Sequence, residues 1–190
     1  MNEIVLASQS PRRKQLLQWA EINFDVIVKE TDESYPEKLQ VEDVAVYIAR
    51  NKALAVKKEI HDDKIIIAAD TIVVLGDEII GKPKDREEAV NILSRLSGNR
   101  HLVITGVVIT KKEKEIAFAD TTEVWFHDLT KEQIEFYVDK YKPYDKAGAY
   151  AIQEWIGVIG IQKISGDFYN VMGLPVSRVI KELSSFNEQK

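Results

Sequence analysis

Residues 65–75 read Ile-Ile-Ile-Ala-Ala-Asp-Thr-Ile-Val-Val-Leu, an apolar run that is interrupted only by Asp70 and Thr71. The length and β-branched composition of this run predict a buried strand. The Gly-Asp pair that follows is typical of a hairpin turn, so residues 78–80 are predicted to form a second strand. A carboxylate inside a buried strand must be paired, hydrated or bound to a metal. Asp70 is therefore the first candidate functional residue, the alternative being a structural aspartate that accepts hydrogen bonds from nearby backbone N–H groups.

The segments around this hairpin mix strand-helix-strand units with antiparallel pairs. Further strands are predicted at Ile4–Ala7, Phe24–Val28, His101–Thr110 and Glu115–Phe126. Helices are predicted from Pro11, over Val41–Glu59, Asp85–Leu96, Thr130–Tyr141 and Leu174–Leu183, and residues 147–172 as glycine-rich loops with short strands. This order predicts an α/β (α+β) protein with a mixed sheet. We expect a single domain over residues 1–190, with an ordered core of about residues 3–184.

The overall composition excludes several classes of function. The 190 residues include 45% hydrophobic residues, enough for a full core, and their net charge of −5 argues against a general binder of nucleic acid or anionic membranes. No cysteine is present, which excludes disulfides and thiol catalysis. The apolar run Ile4–Ala7 is too short for a signal peptide and no run is long enough to span a membrane. We expect a soluble, intracellular protein, in which a local basic site could still bind one small anion.

The segment Ser8-Gln9-Ser10-Pro11-Arg12-Arg13 joins a predicted strand to a predicted helix. Ser10 suits the N-cap and Pro11 the first helical position. The unpaired N–H groups and the dipole at such a helix start attract anions. Two arginines in a first turn repel the helix end and one another unless an anion relieves them, and the spacing of Arg13 directs it toward the inner face. The alternative is a solvated first turn with a serine cap.

Two lysines are further candidates. Lys52 lies four residues after Ile48 and four before Val56, within the apolar stripe of its predicted helix. A buried ammonium is costly unless it is paired, so replacement by Met is expected to be neutral or stabilising for the fold; the alternative is a snorkelling side chain. Lys82, in Gly-Lys-Pro after the hairpin, could reach Asp70, although such a tripeptide is by itself typical of a turn.

Two arginines, two lysines and one or more acids are the side chains needed to bind a polyphosphate together with a divalent cation. Asp70 is one of these acids, and Asp32 and Glu33 are the candidates for a further one. No G-x-x-x-x-G-K-[ST] phosphate loop occurs, and Gly157–Gly160 does not match a dinucleotide fingerprint.

The ordered set of these motifs resembles the Maf family of nucleoside triphosphate pyrophosphatases, from about residue 3 to residue 184. The resemblance is carried by Ser8–Arg13, Ala69–Thr71, Gly81–Pro83, Asp145–Tyr150 with Gln153, and Met172–Pro175. It implies a Maf-like fold, related to inosine triphosphate pyrophosphatases, with a long curved mixed sheet and two lobes around a cleft. It also implies hydrolysis of a nucleoside triphosphate to the monophosphate and pyrophosphate, with Mg²⁺ or Mn²⁺ as cofactor. A cytoplasmic location and a possible homodimer are implied as well.

The resemblance also implies roles for individual residues. Asp70 matches the proton acceptor, and it would bind the metal together with Glu33. The other catalytic residues would be Glu33, Lys52 and Lys82, and the phosphates would be bound by Ser8 and Arg13. Substrate choice would depend on Arg12, Thr71 and Gln153, which look like the branch acting on dTTP and UTP rather than on 7-methyl-GTP. The segment Glu154–Ile156 is bulkier than the family pattern and could alter one wall of the cleft.

Two other functions stay open at this point. Since family members are linked to septum formation and cell-division arrest, the chain could be a non-catalytic nucleotide-binding regulator that acts through protein partners. It could also be a phosphatase that removes the terminal phosphate. Asp70 favours an enzyme over a pure binder, because an acid beside phosphates contributes nothing to binding them.

Overall fold

The computed structural model describes residues 3–60 and 63–187. Its strands are β1 (Ile4–Leu6), β2 (Asp25–Val26), β3 (Ile65–Leu75), β4 (Glu78–Ile80), β5 (Arg100–Lys111), β6 (Lys114–Phe126) and β7 (Ile161–Ser165). Its helices are α1 (Pro11–Trp19), α2 (Val41–Lys57), α3 (Arg86–Leu96), α4 (Lys131–Tyr141), α5 (Trp155–Gly160), α6 (Phe168–Met172) and α7 (Val176–Asn187). None of the helices in the described ranges has the length and apolar character needed to cross a membrane.

The seven strands form one mixed sheet, as predicted. Their order is β2-β1-β3-β5-β6-β7, with β4 paired to β3. Strand β1 runs parallel to both β2 and β3, whereas the β3–β4 and β6–β7 pairs are antiparallel. The long apolar run is β3 with the predicted limits, and its partner after the Gly-Asp turn is β4. The prediction of a mixed α/β sheet is therefore confirmed.

The chain divides into two compact units. The first comprises Met1–Asp70, Thr105–Asp120 and Gly173–Lys190, and the second comprises Thr71–Ile104 and Thr121–Met172. Two units agree with the predicted two lobes. The curvature of the sheet, the cleft and the single-domain limits stay predictions, and residues 1–2, 61–62 and 188–190 within those limits lie outside the described part of the chain.

In the first unit, helix α2 packs directly against the sheet. Ala49, Ala53 and Val56 of this helix lie in one buried cluster with apolar side chains of β1, β3 and β5. The contact is close because the packing residues are small. At Gly106 of β5, any Cβ atom would collide with the backbone of α2 at Ala45. This packing carries the apolar stripe of α2, and Lys52 within it, onto the buried face of the sheet.

The predicted cap at Ser10 is confirmed, because the Ser10 hydroxyl accepts a hydrogen bond from the Arg13 N–H at 3.4 Å. The structure also shows Asp85 capping α3 and Thr130 capping α4. The interpretation of residues 147–172 as loops and short strands is wrong in part, because α5 and α6 lie there. The glycines of α5 suggested a loop, but Gly157 is needed inside the helix turn, since a Cβ atom there would collide with the Ile152 carbonyl oxygen.

A buried histidine lies in the second unit. His101 is 1% exposed, and its Nε2 lies 2.7 Å from the hydroxyl oxygen of Tyr150. Its Nδ1 has no hydrogen-bond partner among the described residues. Burial lowers the pKa of His101 from 6.5 to about 4, because a buried imidazolium would lose its hydration. The folded protein therefore keeps this side chain neutral at a pH where the unfolded chain is protonated.

This difference predicts a pH-dependent stability. The contribution of a neutral His101 to the free energy of unfolding is fully present above pH 6.5 and is lost as the pH falls through about 4. The whole pKa shift corresponds to about 3 kcal/mol. As the pH is lowered over this range, we expect the free energy of unfolding, measured with urea, to fall less steeply in His101→Phe than in the unaltered protein. The control is His127→Gln, which removes an exposed histidine and should keep the original slope. Equal slopes for His101→Phe and the unaltered protein would contradict the assignment.

Candidate active site

The loop after β1 holds Ser8 and Arg13 against each other. Where β1 ends, the Ala7 N–H donates to the Ile67 carbonyl at 2.8 Å, so the chain leaves the sheet beside β3. The Ser8 hydroxyl oxygen then accepts hydrogen bonds from the Ser10 N–H and from Nη1 of Arg13, each at 3.2 Å. Because both bonds use its lone pairs, the Ser8 O–H hydrogen can be donated to a ligand.

Arg13 is the buried cation of this site. It is 8% exposed, and its Nε donates to the Gly173 carbonyl oxygen at 2.7 Å. Burial lowers the pKa of Arg13 and repulsion from Arg12 acts in the same direction, whereas the carboxylates of Asp70 and Glu33 raise it. Arginine nevertheless stays protonated at neutral pH. The prediction that Arg13 points inward is confirmed, and a buried guanidinium beside a second arginine favours an anionic ligand.

Lys52 joins two acids of the first unit. Its Nζ lies 2.6 Å from Oδ1 of Asp70 and 2.7 Å from Oε1 of Glu33. The side chain is only 17% exposed, so the snorkelling alternative is wrong. Asp32 instead accepts hydrogen bonds from the N–H and hydroxyl of Ser34 in its own loop, and these bonds lower its pKa. The structure thus selects Glu33 as the acid that accompanies Asp70.

Asp70 is buried within β3, with 9% of its surface exposed. The requirement that a carboxylate at this position be paired is met by Lys52. A cationic side chain therefore orients the carboxylate on the face where α2 packs.

This pairing overturns the expectation that Lys52→Met leaves the fold neutral or more stable. The expectation treated the ammonium as unpaired, whereas its removal would leave the nearly buried Asp70 carboxylate without a cation. We now expect Lys52→Met to lower the free energy of unfolding by roughly 1–3 kcal/mol, as for other buried polar groups that lose a partner. Urea unfolding would measure this, with Lys58→Met at an exposed position of the same helix end as the control. A stability equal to that of the control would contradict the role of the pair.

The remaining predicted residues belong to the second unit. Thr71 directly follows Asp70 and is half-buried, whereas Lys82 and Gln153 are exposed. The Gly81 carbonyl accepts a hydrogen bond from the Gly148 N–H at 3.2 Å, which ties the Gly-Lys-Pro segment to the 145–150 motif. Within the first unit the structure brings together Ser8, Arg12, Arg13, Glu33, Lys52 and Asp70. The roles of all these residues stay predictions.

One partner was not expected from the sequence. The Gly173 carbonyl binds Arg13, and Gly173 has a φ of +119°, a conformation that side-chain-bearing residues rarely adopt. Its place in the Met-Gly-Leu-Pro motif was a signal of importance, but the motif does not reveal the contact.

A divalent cation fits the two acids. Within the described ranges no group of three or more His, Cys, Asp or Glu side chains could hold a metal ion. Glu33 and Asp70 both approach one ammonium, however, so their oxygens already converge on a single cation. Mg²⁺ is commonly held by one or two carboxylates together with substrate phosphates. The donor set suits such an ion, and metal binding by these residues stays a prediction.

A mixed α/β protein with a buried arginine and a lysine-bridged pair of acids belongs to the class that can bind and act on phosphorylated ligands. The model of the family described as Maf-like protein matches residues 3–186. The chain therefore belongs to this family, and the resemblance is confirmed.

Several curated relatives cover nearly the whole chain. A protein of Cytophaga hutchinsonii is 53% identical over 98% of this chain and 86% of its own length. Proteins of Parabacteroides distasonis and Porphyromonas gingivalis are 51% and 48% identical, over 97% and 98% of this chain and 96% and 95% of their own. All three are named dTTP/UTP pyrophosphatase. A solved structure from Mycobacterium abscessus, described as a nucleoside-triphosphatase or dITP/XTP pyrophosphatase, aligns over 98% of this chain with a TM-score of 0.45 and 11% identity, covering 99% of its own chain.

Proposed function

We propose that this protein is a nucleoside triphosphate pyrophosphatase of the cytoplasm that hydrolyses dTTP and UTP, together with modified pyrimidine nucleotides. Its products are the nucleoside monophosphate and pyrophosphate. The substrate assignment is supported by relatives of about 50% identity that carry this name. The observation that carries the chemistry is the nearly buried Asp70 carboxylate, held by Lys52 in the unit that also contains the buried Arg13.

In this mechanism Asp70 is the general base. Its carboxylate takes a proton from the water that attacks the α–β phosphoanhydride, and the bond to the bridging oxygen breaks as the new P–O bond forms. Lys52 orients the carboxylate through the 2.6 Å contact. Arg13 neutralises charge that builds up on the phosphates, and the Ser8 hydroxyl with the first N–H groups of α1 holds the phosphate tail. Lys82 is assigned a similar neutralising role by the family resemblance alone.

Glu33 and Asp70 would hold the divalent cation, Mg²⁺ or Mn²⁺. When bound, such an ion supplies further stabilisation of charge on the phosphate oxygens.

The metal assignment predicts the behaviour of Glu33→Gln. Because the charge of the ligands sets the affinity of a site for a divalent ion, we expect the Mg²⁺ concentration for half-maximal activity to rise roughly tenfold. The measurement is a Mg²⁺ titration of EDTA-treated protein at saturating dTTP. Glu37→Gln, an exposed change in the same loop, is the control. An unchanged Mg²⁺ requirement in Glu33→Gln would remove this residue from the metal site.

A product assay separates the proposed activity from its alternatives. The protein is incubated with dTTP and Mg²⁺, and pyrophosphate is separated from orthophosphate. Equal amounts of dTMP and pyrophosphate are expected. Orthophosphate with dTDP would instead indicate a terminal phosphatase, and nucleotide binding without turnover would indicate a regulator.

A homodimer stays a prediction that sedimentation can test.

A further inference from the structure

The turn that carries Gln153 is held on both sides by one tyrosine hydroxyl. Gln153 is an exposed central residue of this turn, which is closed by the Glu154 N–H donating to the Ala151 carbonyl at 3.0 Å. Tyr137 of α4 is completely buried beneath it. The Tyr137 hydroxyl oxygen accepts a hydrogen bond from the Ala151 N–H at 3.2 Å, and the hydroxyl donates to Oε2 of Glu154. Ala151 and Glu154, which flank Gln153 in the turn, are thus both hydrogen-bonded to the Tyr137 hydroxyl.

The second oxygen of Glu154 is held by a different segment. Nζ of Lys146 lies 3.7 Å from Oε1 of Glu154 and 2.7 Å from Oδ1 of Asp145. The Lys146 side chain is 9% exposed, so this ammonium is nearly buried beside the turn. Tyr137 and Lys146 therefore fix the Glu154 carboxylate from two sides, and Glu154 is the first residue of the segment that is bulkier than the family pattern.

The chain after the turn is also held by close contacts. The Gly157 N–H donates to the Glu154 carbonyl at 2.9 Å, in a space too small for a Cβ atom. The Trp155 ring packs edge-on against Phe136 of α4, with 4.8 Å between the ring centroids. The backbone on each side of Gln153 is accordingly anchored to α4.

We propose that Tyr137, Glu154 and Lys146 are positioning residues that set base selectivity by holding the turn that presents Gln153. The proposal rests on the proposed function and on the role in substrate choice that the family resemblance implies for Gln153, here taken to be pairing of its amide with the edge of uracil or thymine. Hydrogen bonds weaken steeply when donor and acceptor are misaligned. An amide on a loosened turn would sample many orientations, and it would then distinguish a pyrimidine carbonyl and N–H from other bases less well.

The test replaces Tyr137 with phenylalanine, which removes the hydroxyl and keeps the ring that stacks on Tyr141. We expect kcat/KM for dTTP and UTP to fall about fivefold to tenfold, the effect of losing one or two hydrogen bonds, mainly through a higher KM. The values for CTP and GTP should fall less than about twofold, and the inhibition constant of pyrophosphate should stay unchanged, because the residues proposed to bind phosphate are intact. Tyr141→Phe removes a hydroxyl from the same helix and serves as the matched control.

A double-mutant cycle with Gln153→Ala shows whether Tyr137 acts through Gln153. In the Gln153→Ala background the Tyr137→Phe change should cause little further loss of discrimination, since the two act as one unit. An equal loss in both backgrounds would overturn the positioning role, as would unchanged discrimination in Tyr137→Phe. If Gln153→Ala itself leaves the dTTP-to-GTP ratio unchanged, base reading by Gln153 fails, and this inference fails with it.

Two substitutions of Glu154 keep the test decisive if Tyr137→Phe does not fold. Glu154→Gln keeps an acceptor for the Tyr137 hydroxyl and should retain most of the discrimination. Glu154→Ala removes the acceptor and should reproduce the loss expected for Tyr137→Phe. Equal discrimination in these two variants would overturn the proposal.

Discussion

Asp70→Asn is expected to lower kcat for dTTP by about 10²–10⁴-fold, the usual effect of losing a general base. The protein should remain folded, because the asparagine amide has the same shape and its oxygen can still accept the hydrogen bond from Lys52. Substrate affinity should fall much less than kcat, since the arginines and Ser8 are unchanged. The measurements are steady-state release of pyrophosphate, calorimetric binding of a non-hydrolysable dTTP analogue, and thermal unfolding.

The matched control for this substitution is Asp77→Asn, which changes an exposed aspartate in the β3–β4 turn. It should leave turnover unchanged. Turnover close to normal in Asp70→Asn would remove this residue from the mechanism. A loss of turnover that is accompanied by unfolding would instead assign Asp70 a structural role in the pair with Lys52.

Gln153→Glu is expected to shift the base preference away from pyrimidines and toward guanine. A glutamine can offer its oxygen to the N3–H of uracil or thymine and its nitrogen to a ring carbonyl, whereas a glutamate only accepts hydrogen bonds. A polar group that becomes buried when the base binds and that lacks a hydrogen-bond partner costs roughly 1–3 kcal/mol of binding free energy. We therefore expect at least about a tenfold loss of kcat/KM for dTTP and UTP, with a smaller loss for guanine nucleotides.

This prediction requires kcat/KM for dTTP, UTP, CTP, GTP and 7-methyl-GTP in the unaltered protein and the variant. Gln153→Met has a similar length and forms no hydrogen bond through an amide, so it should lose activity on dTTP without favouring guanine. A preference of the unaltered protein for 7-methyl-GTP would show that the assignment to the dTTP/UTP branch is wrong. An unchanged ranking in Gln153→Glu would show that this residue does not read the base.

Much of the fold could be predicted because its signals are local. The run of β-branched residues in β3, the Gly-Asp turn and the cap at Ser10 each act within a few residues, so the sequence contains the whole interaction. Helices α5 and α6 could not be predicted in the same way. Helix α5 contains two glycines, and the five residues of α6 (Phe-Tyr-Asn-Val-Met) are mostly of middling helix propensity. Such short helices exist because tertiary packing supplies the stability.

For the site, the residue types and their order were sufficient to single out Asp70, Lys52 and Arg13 as charges in positions that should be apolar. Only the tertiary structure decided their partners. The bond from Arg13 to the Gly173 carbonyl joins residues 160 positions apart, and the choice of Glu33 over Asp32 depends on where the loop meets α2. Such contacts depend on how distant segments pack together, and no periodicity or motif spacing specifies them. A local pattern can show that a buried charge needs a partner, whereas the packing of the whole unit decides which group provides it.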